Sequence, residues 1–134
     1  INMLTKSCYT LYFYYIGLSN MSNRNIFFGV LILFLIDLGD KIEVKKEDLE
    51  SQGLGFLLDD RYNSRGKHID FKLLAPKGQI ARSAKRILAD NNSLFRFETN
   101  VNDIVSKYGA GTYRSSFKIN GKDAGGNSFE LENY

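Results

Sequence analysis

The chain has 134 residues, 43% of them hydrophobic and 25% charged, with a formal net charge of +3. That length fits one domain with a modest core. Its single cysteine, Cys8, excludes an internal disulfide framework, and one Cys with one His, His68, excludes a His/Cys metal cluster.

The first apolar segment, Tyr9 to Leu18, is rich in Tyr and Phe, which predicts a strand or an interfacial segment. A bare apolar run follows, Ile26 to Ile36, with Arg24 before it and Asp37 and Asp40 after it. It is shorter than the roughly 20 residues a spanning helix needs and falls within the roughly 7–15 residues of a secretory signal core. Met21-Ser-Asn-Arg-Asn25 reads as a short positive leader, and no small-x-small cleavage site follows the run. This predicts an uncleaved anchor, with the competing expectation of a buried core strand or helix. On the first expectation, residues 1–40 are a signal or anchor segment or an upstream extension, and residues 41–134 are a single β-rich domain. The chain is then exported or membrane-anchored; on the second it is cytoplasmic.

Ile42 and Val44 alternate with charge as in a strand, whereas Lys45 to Glu50 is better helix material. Gln52 to Leu58 carries Gly53 and Gly55, and Asp59 to Lys67 reads as a polar loop. Beyond it, period-2 alternation dominates. Ile69, Phe71 and Leu73 alternate with His68, Asp70 and Lys72, and Phe95 and Phe97 with Arg96 and Glu98. Each is a strand with one wet face. Ala75-Pro-Lys-Gly78 is a turn. Between these strands, Ile80, Ala84, Ile87 and Leu88 fall at helical spacing and predict an amphipathic helix over Gln79 to Asp90. Val101, Ile104, Val105 and Tyr108 predict a second short helix, with Thr99 or Asn100 placed to cap it and Gly109 to end it. Tyr113 to Ile119 and Phe129 to Leu131 alternate again, forming a hairpin with a loop from Asn120 to Asn127.

Tyr108-Gly-Ala-Gly-Thr-Tyr113, the alternating strand after it, Asn120-Gly-Lys122 and Phe129-Glu-Leu131 resemble the closing two strands of an immunoglobulin-like β-sandwich. In that architecture a helical turn leads into a Gly-x-Tyr step, here Gly111-Thr-Tyr113, and the Tyr hydroxyl bonds back to the chain. The resemblance implies a mainly β fold, a small antiparallel sandwich with one or two short helices. It extends to architecture alone, because the Cys pair and central Trp of antibody domains are missing. The alternative is an α+β fold with an antiparallel sheet.

Charge is unevenly spread. Asp37 to Asp60 holds eight acids and three lysines, net −5, whereas Arg61 to Lys122 holds thirteen basic residues and four acids, net +9. A basic stretch attracts phosphates, lipid heads or an acidic partner, and is also how a solvated face looks. Lys77, Arg82, Lys85 and Arg86 form its best cluster, and Tyr62, Phe95 and Tyr113 are the rings available for stacking. The glycines at 109, 111, 121, 125 and 126 spell no nucleotide loop, and no cofactor is implied.

Three functions compete on this reading. The first is an exported or membrane-anchored module that binds a protein or surface partner without catalysis, with a membrane engaged through Ile26 to Ile36. The second is a small basic α+β nucleic-acid binder of the cytoplasm, using Arg82, Lys85 and Arg86 on a helix. The third is an enzyme with a carboxylate site near Asp59, Asp60 and Asp70.

Overall fold

A computed structural model describes residues 8–18, 28–44, 52–59, 66–89 and 94–133. The strands are β1 (Cys8–Leu18), β2 (Phe28–Ile36), β3 (Lys41–Val44), β4 (Gln52–Asp59), β5 (His68–Leu74), β6 (Ile80–Ile87), β7 (Leu94–Asn100), β8 (Gly111–Ile119) and β9 (Lys122–Asn133). One helix, α1 (Val101–Tyr108), joins β7 to β8. The strands form a four-stranded sheet, β2-β1-β4-β7, and a five-stranded sheet, β3-β9-β8-β5-β6. Every pairing is antiparallel except β3 with β9. The fold is mainly β, as the alternation in the sequence requires.

The sheets meet through the apolar sides of their strands. Phe56 of β4 lies 4.9 Å from Phe71 of β5, and Phe97 of β7 lies 5.0 Å from Phe71. Phe117 of β8 sits 5.1 Å from Phe71 and edge-on to Phe95 at 5.6 Å. Leu54, Leu58, Ile69, Leu73, Tyr113, Phe129 and Leu131 complete a core with at most 1% exposure. Burying such side chains supplies the main driving force for folding, about 1.5–3 kcal/mol each.

Helix α1 begins at the expected cap. The Asn100 side chain accepts from the backbone N–H of Asn102 at 2.8 Å and of Asp103 at 3.4 Å. Gly109, at φ 85°, ends the helix and donates its N–H to the Val105 carbonyl at 2.8 Å. The helix buries Val101, Ile104 and Val105 while carrying the chain between sheets. Asn100→Ala is expected to destabilise by about 1 kcal/mol, read as a lower midpoint in urea unfolding with an unchanged slope.

Three expectations need correction. The helix over Gln79 to Asp90 is the strand β6, paired with β5 from His68↔Ile87 to Leu74↔Ile80. As the outermost strand of its sheet, β6 buries few side chains, only Ala81 within Ile80–Ile87. Strict alternation is therefore not demanded of it, and pairing with β5 overrides the helical spacing. The long hairpin loop shrinks to a turn at Asn120 and Gly121, with φ 50° and 81°. Positive φ at both central residues is the turn geometry that matches strand twist. Gly125 and Gly126 lie in β9, where a Cβ on Gly126 would collide with the Ser115 carbonyl.

The third correction concerns the apolar run. Residues 28–36 are β2, paired with β1 from Leu18↔Phe28 to Thr10↔Ile36, and β1 pairs in turn with β4. Val, Ile and Phe suit a pleated strand, and the pairing satisfies one edge of its backbone. Ile36 is buried in the common core. Among the described residues, no helix is long and apolar enough to cross a membrane. Residues 45–51 and 60–65, which include the helix-like Lys45 to Glu50, Asp60 and Tyr62, lie outside the described residues.

Candidate nucleic-acid interface

The two sheets turn chemically different faces outward. Residues alternating with the core positions of the five-stranded sheet face away from the sandwich. Pairing sets Lys85 beside Asp70, Asp70 beside Lys118, and Lys118 beside Asp123. One step along, Ser83, Lys72, Ser116 and Gly126 share a row, and a further step sets Arg114 between Leu74 and Ser128. Lys72, Lys85, Arg114 and Lys118 are exposed, and Asp70 is the one acid between them. At ordinary strand spacings the four cations span about 10 by 13 Å. None of them takes part in an ion pair with a described residue. Asp123 spends one carboxylate oxygen on the Gly125 N–H at 3.1 Å.

At one corner of this face His68, Asp70, Lys85, Arg86 and Ile87 line a shallow hollow. Asn120 holds the start of β5: its side chain accepts from the His68 N–H and its own N–H donates to the His68 carbonyl, both at 2.9 Å.

The cluster Lys77, Arg82, Lys85 and Arg86 is divided by the strand. Lys85 points outward. Arg82 and Arg86 pair with Leu73 and Ile69, which places them on the inward side of an edge strand. Arg82 Nε donates to Thr99 Oγ1 at 3.1 Å and Nη1 to the Ala81 carbonyl at 2.7 Å. The Arg86 guanidinium stands 5.1 Å over the Phe95 ring. Both arginines thus close the open side of the sandwich between β6 and β7. Lys77 sits exposed in the β5–β6 turn, where its N–H donates to Gln79 Oε1 at 3.1 Å.

Phe95 and Tyr113, considered as stacking platforms, are fully buried. The carboxylate site does not assemble either. Asp59 pairs with Leu94 on the outward side of the four-stranded sheet, and Asp70 lies on the outward side of the other. No group of three His, Cys, Asp or Glu able to hold a metal occurs among the described residues. Lys72, Arg114 and Lys118 escape the sequence reading, although each occupies a wet position of an alternating strand. Aligning those strands side by side would bring them together.

No family model matches the chain. No curated protein matches it. Among solved structures, Pseudomonas fluorescens alkylpurine DNA glycosylase AlkC bound to DNA containing an abasic site analog is similar at a TM-score of 0.40 and 20% identity. The match covers 69% of this chain and 27% of that one, so the chain spans about a quarter of that protein. At that TM-score the likeness carries no argument about this chain. The exported or membrane-anchored module is nevertheless set aside, because the segment meant to deliver it is a strand of the sheet.

Proposed function

We propose that this chain is a small immunoglobulin-like β-sandwich that binds nucleic acid through the outward face of its five-stranded sheet, without chemistry of its own. The observation that carries the reading is the set of four exposed cations, Lys72, Lys85, Arg114 and Lys118, free of ion pairs with described residues. Such cations on the face of a sheet suit phosphate oxygens, and binding to phosphates alone carries no sequence information. The rows across this face contain Ser83, Ser116 and Ser128, whose hydroxyls add phosphate donors, and no Phe, Tyr or Trp ring among the described residues. The expected mode is sequence-independent and salt-sensitive.

The immunoglobulin-like part rests on two features. The Tyr113 hydroxyl donates back to the Gly109 carbonyl at 2.6 Å, at the step where the helix enters β8. Strands β4 and β7 lie in one sheet and β5, β8 and β9 in the other, as in such sandwiches.

The test is binding to a duplex DNA column and to a labelled duplex across a salt series. The unsubstituted protein should bind at low salt, with affinity falling linearly on a log–log plot. Lys72→Gln, Lys85→Gln and Lys118→Gln together should reduce that slope by about 0.9 for each phosphate the protein no longer neutralises. Arg82→Gln should lower the unfolding midpoint, because its bond to Thr99 is removed, and leave the slope in place. A protein that fails to bind at low salt, or a triple variant with the original slope, overturns the reading.

A further inference from the structure

We infer that β2 is a dimerisation edge, which pairs antiparallel with β2 of a second copy of this chain. A strand at the end of a sheet presents a row of unpaired backbone donors and acceptors, and native proteins guard such edges with charge. Among the described residues, the edge strands are β2 and β7 in one sheet and β3 and β6 in the other. Three are guarded: β7 by Arg96 and Glu98, β3 by Lys41 and Glu43, β6 by Arg82, Lys85 and Arg86. The fourth, β2, is nine residues long and holds no charge, no Pro and no polar side chain.

The charge pattern selects the occupant. Pairing β6 with itself would set like charges against one another, which destabilises. Pairing β2 with itself sets none, whatever the register. A register centred on Ile32 leaves none of the nine residues unpaired and places Leu33 opposite Leu31 of the partner copy and Phe34 opposite its Val30. A charged strand from another protein would have to bring its charges against the same apolar side chains.

The neighbouring surface fits the same partner. Leu33, Phe34 and Leu35 are 55%, 53% and 56% exposed. Leu33 and Leu35 continue an outward apolar face with Tyr9, Leu11, Phe13 and Leu57. Phe13 lies over Gly53, where a Cβ would collide with its ring. Pairing across the β2 edge would merge the apolar faces of two copies and lengthen the four-stranded sheet to eight strands.

Sedimentation equilibrium of the full chain, from about 100 µM down to about 0.1 µM, reads the result. The mass should approach twice 15.3 kDa at the top of the range and fall toward 15.3 kDa on dilution. Leu33→Lys, at a half-exposed position, should be monomeric at the concentration where the unsubstituted chain is half dimeric, with an unchanged circular-dichroism spectrum. Should that variant fail to fold, hydrogen exchange of the β2 amides in the unsubstituted protein replaces it, and should slow as concentration rises. A mass of 15.3 kDa throughout, a folded Leu33→Lys variant that dimerises as before, or β2 exchange indifferent to concentration overturns the inference and leaves the edge to a partner of another sequence.

Discussion

Phe71→Ala is expected to remove about 3–5 kcal/mol of stability. Its ring is the hinge on which the two sheets meet. It approaches Phe56 at 4.9 Å, Phe97 at 5.0 Å, Phe117 at 5.1 Å and Phe95 at 6.1 Å. Two of those partners, Phe56 and Phe97, belong to neighbouring strands of the four-stranded sheet, paired directly with each other. Truncation therefore opens a void that no single side chain can fill, since its walls are fixed in two different backbone ladders. The loss includes the transfer of the ring and the cavity left behind. A small domain has only about 5–15 kcal/mol in total, so the variant should lose a large share of its folded population. Phe71→Leu keeps more volume and should lose clearly less. Urea unfolding measures both, through a shift in midpoint at constant slope. A loss below about 1 kcal/mol for Phe71→Ala would mean that the sheets are held together elsewhere.

The strands that the sequence makes legible are those with one dry and one wet face. Ile69, Phe71 and Leu73 read as a strand because sheet packing demands every second residue and water takes the rest. Tyr113, Phe117 and Phe129 read the same way, and all three are buried. Helix α1 is legible because its cap and stop signals are local: Asn100 and Gly109 act within a few residues of their partners. β6 is not, because an edge strand at the margin of a sandwich is freed from alternation. Its Ile80, Ala84 and Ile87 then happen to satisfy a helical period. β2 misleads for the opposite reason. An uninterrupted apolar run has no period to read, so its length and flanks suggest an address where the fold uses it as a strand.

The proposed binding face is half legible. Lys85 stands out in a local cluster, but its companions Lys72, Arg114 and Lys118 are up to 46 positions apart in sequence and become neighbours only through the β6-β5-β8 order. Local spacing cannot supply that order. It does bring Arg82 and Arg86 to attention, yet in a strand residues four apart share a face, and that face is the inward one here. Charge counted along the chain locates the basic stretch. Which of its charges meet solvent depends on pairing between distant strands.

Tyr113→Phe is expected to cost about 1–2 kcal/mol near neutral pH, through loss of the buried bond to the Gly109 carbonyl. Its signature lies in the alkaline limb of the stability profile. Burial, and secondarily Tyr108 nearby, pushes the Tyr113 phenol up from 10.0 to about 12. In the unfolded chain that phenol gives up its proton near pH 10. Between pH 10 and about 12 the unfolded state therefore binds fewer protons than the folded one, and stability falls as pH rises. Below pH 10 both states hold the proton and the contribution is whole. Two pH units correspond to about 2–3 kcal/mol, comparable to or larger than the gain from the bond itself. The unsubstituted protein should accordingly be the more stable of the two at pH 8 and should lose that advantage by about pH 12, so that the two profiles converge or cross. The two proteins differ by this one hydroxyl, so the difference between their profiles reports its contribution. Parallel profiles would show that the Tyr113 hydroxyl meets water as readily in the folded chain as in the unfolded one.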